Sequence, residues 1–350
     1  MADSPNIIKT KTGVVISTPQ RPPDTSPQAI KMRRERKNKI LRTFQTTKQR
    51  LFSSITTQSK EQIARQEVEQ IHKTQLKKLI AMLIEKTEEE RAEYFDKQTA
   101  IINKTRNSDE KEEALYNILL LSSSKFTESW NLKLEKVLTS ILPILKEKDF
   151  YLKLLVSDII KNLTIYEKNI LRNKFKFSTK DWINKIFRNC SNFDLEDDSY
   201  FIINQILASL ATVFNQEQAV EAIIPFIKSD GNELNDFINF DEFQDIGEVN
   251  NKTKEEIQKD TFLLAVSLEF FSQLIPFLQN EFMISKVTLL FQQFNNLLHN
   301  TNVLIRKLTT TVIVNMHLQF GKEMVEHPIK SFPKHLISLI NTYIKRAEEK

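Results

Sequence analysis

Residues 302–321 read NVLIRKLTTTVIVNMHLQFG, and this stretch predicts one complete helix together with both of its ends. A short polar break precedes Val303, and apolar residues then recur at three- and four-residue spacing, as on the buried face of an α-helix. Arg306 and Lys307 are expected on the polar side of the first turn. Gly321 suits a left-handed C-cap, because glycine has no Cβ to clash in that conformation.

Signals of the same kind predict helices along most of the chain. Ser59, Thr87 and Thr253 are each followed three residues later by Glu or Gln, which is the capping-box pattern of a helix N-terminus. Ser178 begins a weaker variant of this pattern, and Pro143 is an expected helix kink. Apolar stripes at helical spacing cover residues 71–84, 134–145, 198–214 and 261–281.

The composition excludes the common sheet-containing classes. The chain has 350 residues but only 4 glycines and 10 prolines, too few for the turns of a sheet protein or a dinucleotide-binding enzyme. Apolar residues make up 40% of the chain and include 24 phenylalanines, which allows a sizeable core. Short links make neighbouring helices antiparallel. The sequence therefore predicts an all-α, HEAT-type array of antiparallel helical hairpins, with a compact irregular bundle as the alternative.

Three regions are expected along this array. Residues 1–55 are predicted to be a disordered basic arm containing Pro, Ser and Thr. Residues 56–107 are predicted to be a long polar helical segment, either one extended helix or a hairpin, that leads into the array. Its heptads are not sustained, so a coiled-coil homodimer is only one reading of it. Residues 108–350 are predicted to be the helical array, with a break at Asp230-Gly231.

The positive charge of the chain is concentrated in the arm. Residues 1–51 hold twelve basic and three acidic residues, so they carry +9 of a total net charge of +5, and the remainder sums to −4. Such an arm favours a polyanion, namely nucleic acid, an anionic membrane or an acidic protein surface; the alternative is a nuclear-import signal at residues 31–39. The predicted binding residues are Lys31, Arg33, Arg34, Arg36, Lys37, Lys39, Arg42, Lys48 and Arg50.

Three proline-directed phosphorylation sites precede this basic cluster. Ser4, Thr18 and Ser26 are each followed by proline. Phosphorylation would remove about 1.5–2 positive charges per site and would so weaken the arm's attraction to a polyanion. The alternative is that Ser-Pro and Thr-Pro pairs arise by chance in a Pro-rich tail.

No catalytic or metal-binding pattern is found in the sequence. The five histidines lack His-x-x-x-His spacing, and no nucleophile elbow or phosphate-binding loop is present. Acidic clusters at 194–198 and 236–245 lack the spacing and the central glycine of a calcium loop, and are expected to be solvated loops or docking sites for a basic partner. The sequence therefore predicts a protein that is not an enzyme and has no cofactor and no metal.

Single residues with a possible function also have a structural interpretation. Cys190 is the one cysteine, which excludes an internal disulfide and favours a reducing compartment, the cytoplasm or the nucleus. A core position is expected for it, despite the nearby Arg188. Trp130 and Trp182 each lie near the start of a predicted helix and are expected in core or half-buried positions; the alternative is that they are surface anchors for a partner. No apolar run of membrane-spanning length and no signal peptide are recognised.

The C-terminal quarter carries a family resemblance. The helix of Arg306 and Lys307 that ends at Gly321, followed by Leu339-Ile-Asn-Thr-Tyr-Ile-Lys-Arg-Ala347, resembles the C-terminal TOG-like domain of the CLASP family of microtubule-associated proteins. The resemblance covers about 85 residues. CLASP proteins are far longer and contain several TOG domains, and tubulin-contacting residues cannot be matched one by one.

The resemblance implies about six helical hairpins and a role at microtubules, the spindle or kinetochores. It also implies protein partners, among them tubulin and kinetochore or plus-end proteins, and homodimerisation. The leading hypothesis is thus a non-enzymatic microtubule-associated protein whose arm binds an acidic surface and whose array docks partners. The alternatives are a HEAT-type adaptor in nuclear transport or chromatin, where contacts to nucleic acid would be to its backbone, and a regulatory scaffold subunit of a larger complex.

Overall fold

The structure is a computed structural model that describes residues 8–10, 13–15, 34–35, 38, 58–124, 126–190, 195, 198–227 and 253–349. The chain divides into two compact units, residues 1–78 and residues 79–350. The first helix, α1 (Gln58–Leu83), crosses this division. The predicted N-cap Ser59 lies at the first described residues of this helix, and its capping role stays a prediction.

Within the first unit, the described residues include a short β-hairpin. Strands β1 (Ile8–Thr10) and β2 (Gly13–Val15) pair antiparallel, with Ile8 opposite Val15 and Thr10 opposite Gly13. The sequence analysis predicts no strand here, because a three-residue strand is too short to show an alternating pattern. The rest of the predicted disordered arm, apart from residues 34–35 and 38, lies outside the described residues, so that prediction stays a prediction.

The second unit is entirely helical in the residues that the structure describes. Short 3₁₀ segments, Leu142–Lys146 and Ile275–Phe277, follow α4 and α10. The helices are α2 (Glu88–Lys104), α3 (Ser108–Ser122), α4 (Thr127–Ile141), α5 (Phe150–Tyr166), α6 (Lys168–Phe175), α7 (Thr179–Arg188), α8 (Asp198–Leu210), α9 (Gln216–Ile227), α10 (Lys254–Leu274), α11 (Asn280–Leu298), α12 (Val303–Phe320), α13 (Lys322–Ile329) and α14 (Lys334–Glu348).

These helices alternate between two rows. In one row α3, α5, α8, α10, α12 and α14 pack on one another in that order. In the other row α2 packs on α4, and α7, α9, α11 and α13 pack in succession. The described part of the second unit thus contains six helical pairs, and α6 with α7 together take the place of one helix. The predicted all-α, HEAT-type array of helical hairpins is confirmed, and the compact bundle is not observed.

Hydrogen bonds between successive pairs show that the helices of a row run parallel. Ser108 donates to Asp149 at the first ends of α3 and α5 (3.5 Å), and Asn162 donates to Ser123 at their last ends (2.9 Å). Each bond joins residues about forty positions apart, which is the length of one HEAT repeat. The helix predicted to lead into the array, α2, packs on α3 and α4.

The ends of the helices test the predicted capping residues and the predicted kink. Thr87 and Thr253 both form complete capping boxes, as predicted. Ser178 does not cap α7, because its hydroxyl donates to the Lys174 carbonyl instead (2.9 Å). Pro143 ends α4 rather than kinking it, since the chain passes into the 3₁₀ segment after Ile141. Gly321 has the predicted positive φ (88°), but its ψ of 171° lies outside the left-handed helical region.

Aromatic side chains fill the space between the rows. Trp130 is fully buried, meets Phe95 edge-on at 4.7 Å between ring centroids and donates from Nε1 to the Leu121 carbonyl (3.0 Å). Trp182 is buried beside Phe175. The core positions expected for both tryptophans are therefore confirmed. The phenylalanine-rich composition reflects this core, since aromatic residues bury large areas and pack favourably edge to face.

One described helix has the length and hydropathy of a membrane span. It covers Lys254–Phe277, with a mean hydropathy of 1.2 over its most apolar window, although the sequence analysis recognises no such stretch. More than half of that window is buried inside the protein. A buried core helix has the same composition, and α10 packs on α8, α9 and α12 in the middle of the array.

Candidate functional site

A groove runs between α12 and α14 at the C-terminal part of the array. The imidazole rings of His299 and His335 lie 6.3 Å apart, centroid to centroid, next to the first turns of the two helices. At their last turns, His317 Nε2 lies 2.9 Å from Glu348 Oε1. The two helices are therefore parallel, and the groove follows their length.

The groove encloses about 1170 Å³ and has a largely apolar lining. Several lining side chains remain exposed: Val303 is 67% exposed, Leu318 50%, and Tyr343 45%. Exposed apolar residues that stand next to one another, rather than scattered singly, are typical of interaction sites. The lining residues are Leu298, Val303, Arg306, Lys307, Thr310, Thr311, Val314, Leu318, Leu336, Leu339, Tyr343, Arg346, Ala347 and Glu349.

The helix α12 presents one face to the array and another to the groove. The first face, which includes the fully buried Ile305, Val312 and Met316, packs into the array. A second stripe runs from Val303 to Leu318 at helical spacing and lines the groove; its apolar members are Val303, Val314 and Leu318, and Arg306, Lys307, Thr310 and Thr311 lie between the first two. With a rise of 1.5 Å per residue, this stripe is about 22 Å long, or four helical turns.

Cations stand at both ends of the groove. Arg306 Nη1 donates to the carbonyl oxygens of Asn300 (2.6 Å) and Thr301 (3.0 Å), which fixes the guanidinium beside the first turn of α12. Lys307 is exposed next to it. At the other end, the Arg346 guanidinium lies 6.0 Å from the centroid of the Tyr343 ring. The groove thus has cations at both ends, and at the second end Glu349 stands in the lining together with Arg346.

Acidic groups near the groove only partly offset these cations. Glu349 also lines the groove. Burial raises the pKa of Glu269, and the positive charge of Lys307 opposes that shift, so these two groups interact electrostatically. Among the described residues, no carboxylate oxygen lies within 4.0 Å of a side-chain nitrogen of Arg306, Lys307 or Arg346.

A second candidate surface lies on α6, α7 and the turn between them. Residues 161–188 contain eight basic and two acidic residues. One of the two acids, Glu167, is buried and accepts a hydrogen bond from the Thr127 hydroxyl (3.4 Å). The eight basic residues are Lys161, Lys168, Arg172, Lys174, Lys176, Lys180, Lys185 and Arg188.

Some of these cations face acids, and others face solvent. Lys174 and Lys185 line a cavity of about 140 Å³ together with Glu135 and Asp181, so carboxylates stand near them. The Lys185 ammonium also lies 4.3 Å from the centroid of the Trp182 ring. The remaining exposed cations of the helix–turn–helix, together with the exposed Phe177, are named here the basic surface, which consists of Arg172, Lys176, Phe177, Lys180 and Arg188.

The turn between α6 and α7 holds the basic surface in place. The Arg172 guanidinium donates to the Thr212 carbonyl (3.2 Å), and Gln218 donates to the Lys176 carbonyl (3.3 Å). Phe177 is 82% exposed, and the Lys176 ammonium lies 5.1 Å from the centroid of its ring. An exposed aromatic ring between cations offers both apolar contact and positive charge to a partner.

Most of the residues predicted from the sequence to bind a polyanion cannot be placed. Arg34 is exposed. The phosphorylation candidates Ser4, Thr18 and Ser26 lie outside the described residues. So do the other predicted polyanion-binding residues, Lys31, Arg33, Arg36, Lys37, Lys39, Arg42, Lys48 and Arg50, and nearly all of the acidic clusters at 194–198 and 236–245.

The residues considered for chemistry are in structural positions. Cys190 is buried, and burial raises the pKa of its thiol to about 12 although Lys153 and Lys146 oppose the shift. A thiol with so high a pKa is a poor nucleophile. In the part of the chain that the structure describes, no three His, Cys, Asp or Glu side chains come together as metal ligands.

Sequence reasoning missed both candidate surfaces. The eight basic residues of 161–188 can be recognised in the sequence. They were missed because the charge of all residues after the arm was considered only as a sum, −4, which conceals a local basic cluster. The groove has a weaker signal in the sequence, namely the second stripe of α12. From the sequence alone this stripe cannot be distinguished from part of one broad buried face.

Comparisons with known proteins give no family for this chain. No protein-family model and no curated protein matches the chain. A designed armadillo repeat protein aligns with a TM-score of 0.35 at 12% identity, covering 71% of this chain and 98% of its own. A second, solved with the peptide (KR)4, gives 0.35 at 12%, covering 72% and 97%. An engineered protein gives 0.33 at 10%, covering 71% and 98%. These scores are too low to assign a family, so the fold assignment rests on the helix packing.

Proposed function

We propose that this chain is a non-enzymatic interaction protein that binds an acidic protein surface through its cations. The observation that carries the proposal is the basic surface, where Arg172, Lys176, Lys180 and Arg188 are exposed and the Lys176 ammonium lies beside the exposed ring of Phe177. The basic residues of the arm, from Lys31 to Arg50, would add to the same attraction. Surfaces of one charge sign speed association with partners of the opposite sign and favour them over others.

The acidic surface that we propose is the microtubule lattice. The resemblance of the C-terminal quarter to the CLASP family supports this choice, as does the combination of a basic arm with a helical-repeat body. We further propose that the protein works in the cytoplasm, at the cytoskeleton or spindle. An array of paired helices suits a scaffold, because each repeat adds surface without needing the distant ones.

Microtubule co-sedimentation of the full chain tests this proposal. One variant carries Lys176→Glu, Lys180→Glu and Arg188→Glu, and a second reverses the arm at the four residues Arg33, Arg34, Arg36 and Lys37. A control reverses three exposed cations at the other end of the array, which are Lys97, Lys104 and Arg106. We expect each of the first two variants to weaken pelleting about tenfold and the control to leave it unchanged.

The other outcomes separate the alternatives. Equal pelleting of all variants, or no pelleting of the unmodified chain, would contradict the microtubule proposal. If reversal of the arm changes only the entry of the protein into the nucleus, the nuclear-transport or chromatin alternative is favoured. Binding to duplex DNA that depends on Lys176, Lys180 and Arg188 would instead identify a phosphate backbone as the partner of the basic surface.

A further inference from the structure

We propose that the groove between α12 and α14 binds an amphipathic α-helix of a partner protein, with Asp or Glu near both ends of its apolar face. This site is separate from the basic surface and does not depend on microtubule binding. The groove offers what such a helix needs, namely an apolar floor, helical walls and cations at each end. Laying an apolar helix face into a groove is a recurring mode of peptide recognition.

The length of the groove matches a short helix. Its stripe on α12 runs from Val303 to Leu318, about 22 Å, and a partner helix of about fifteen residues has the same length. Leu339 and Tyr343 of α14 form the opposite wall, one helical turn apart. Apolar residues at three- and four-residue spacing on the partner would therefore meet Val314 and Leu318 of α12 and Leu339 and Tyr343 of α14.

The charges specify an acidic partner. Arg306 and Lys307 stand at the first turn of α12, and Arg346 stands near the level of His317, because Glu348 two residues later contacts His317. Eleven residues separate Arg306 from His317, which is about 16 Å along the helix axis. Carboxylates about eleven residues apart on the partner helix would thus lie near a cation at each end. Charge complementarity of this kind sets both register and specificity.

Other occupants fit the groove less well. An extended strand needs an exposed sheet edge, whereas the backbones of both walls are already hydrogen-bonded within α12 and α14. A small molecule would be held by a pocket of about 300–1,000 Å³ that encloses most of its surface, and this groove is larger and open along its length. A bound helix would contact the groove along that whole length.

Fluorescence anisotropy with a labelled synthetic peptide tests the proposal on the full chain. The probe is an Ala-based helix of about sixteen residues, with leucines at three- and four-residue spacing and Glu near both ends. A matched peptide has Lys in place of each Glu. We expect the Glu peptide to bind at least about tenfold more tightly than the Lys peptide.

Two variants and one control locate the binding site. Leu318→Ser with Leu339→Ser removes apolar contacts, and Lys307→Glu with Arg346→Glu reverses the charges; each pair is expected to weaken the Glu peptide about tenfold. The control is Leu132→Ser with Ile284→Ser, which changes apolar residues on α4 and α11 that are somewhat more exposed than Leu318 and Leu339. Because all six side chains are substantially exposed, the variants should fold, and circular dichroism checks that they do.

Several results would overturn the proposal. Equal binding of the two peptides, or of the unmodified chain and the groove variants, would show that the groove does not select an acidic helix. A dimer that dissociates in the groove variants, without peptide binding, would assign the groove to a second copy of the chain. Binding to phosphatidylserine vesicles that is lost in the leucine variants, again without peptide binding, would assign it to a membrane. None of these results depends on microtubule pelleting, so the two proposals fail separately.

Discussion

The basic surface and the groove are built from different parts of the same array. The basic surface lies where one repeat has two short helices, α6 and α7, in place of a single helix. The turn between them exposes Lys176 and Phe177. The groove instead lies along two long parallel helices, α12 and α14, whose backbones are regular throughout. One surface offers charge at an interrupted helix, and the other offers an apolar channel between intact helices.

This difference shows how a helical array produces two kinds of site. An interruption exposes whatever the local sequence contains, so a run of cations is enough to make the basic surface. The groove needs the second stripe of α12, which ends in Val314 and Leu318, and the facing apolar residues of α14, and the two helices are separated in the chain by α13. The specificity of the groove therefore depends on how α12 and α14 of two successive repeats are aligned. The specificity of the basic surface depends instead on the number of its positive charges.

The largest expected effect on stability comes from removing a core side chain, Phe214, that packs against α6 beneath the basic surface. The Phe214 ring lies 4.9 Å from Phe175 of α6 and 6.4 Å from Phe270 of α10, centroid to centroid, and is buried. Phe214→Ala should lower the free energy of unfolding by about 3–5 kcal/mol, because it leaves a cavity in the core. Urea unfolding measures the loss.

Hydrogen exchange then shows whether that loss is local. Because each repeat contacts only its neighbours, α6 to α10 should exchange faster while α12 and α14 change little. Phe177→Ala, at the exposed ring of the same turn, is the control and should change stability by less than about 0.5 kcal/mol. Equal acceleration along the whole array would mean that the two surfaces are not independently supported.

The stability of the repeat that leads into the basic surface should depend on pH. Burial raises the pKa of Asp158 on α5 to about 6, and Lys161 offsets this only in part. An unfolded aspartate has a pKa of about 3.9. The neutral acid therefore stabilises the fold below about pH 4, and this contribution is lost as the pH rises through about 6.

Asp158→Asn removes this titration. The variant should be more stable than the unmodified chain at pH 7, by about 1–3 kcal/mol, and the two should converge near pH 4. Urea midpoints at several pH values measure the effect, with the exposed Glu255→Gln as a control. A variant that is less stable at pH 7 would show that the ionised carboxylate makes a favourable contact in the folded state.

The sequence predicted the fold well because the signals of an array are local. The capping boxes of Thr87 and Thr253 and the positive φ of Gly321 each depend on a few neighbouring residues. Trp130 and Trp182 could be assigned to the core because apolar residues flank them at helical spacing. Ser178 failed as a cap because its hydroxyl had a competing acceptor in the preceding turn, the Lys174 carbonyl.

The candidate surfaces could not be predicted in the same way. The split of one helix into α6 and α7 is marked only by the weak capping pattern at Ser178, since residues 168–188 contain no glycine or proline. The groove depends on how α12 and α14 lie side by side, and no local pattern encodes that arrangement. The predicted contacts of the arm remain predictions because nearly all of its basic residues lie outside the described residues, and the CLASP resemblance remains a prediction because no family model matches the chain.

A backbone change at the end of α12 should weaken the repeat that forms the groove. Gly321 joins α12 to α13 with φ 88° and ψ 171°, a conformation essentially restricted to glycine. A Cβ there would meet no atom within 4 Å, so the cost of Gly321→Ala is backbone strain alone. We expect a loss of about 1–2 kcal/mol in thermal or urea unfolding. An unchanged stability would mean that the α12–α13 junction adapts without strain.

The smallest effect is a difference in salt dependence, and it bears most directly on the comparison. Exposed charges are screened within about 10 Å at 0.1 M salt, and the basic surface has four exposed cations and one aromatic ring. Its association with an acidic partner should weaken about tenfold between about 50 and 200 mM salt. The groove buries mainly apolar area, so the affinity of the Glu peptide should fall by less than about threefold. The two salt dependences are compared by measuring microtubule pelleting for the basic surface and anisotropy of the Glu peptide for the groove at the same series of salt concentrations. Equal salt dependence would mean that the groove cations rather than its apolar floor hold the partner, and the two surfaces would then differ in shape but not in their source of affinity.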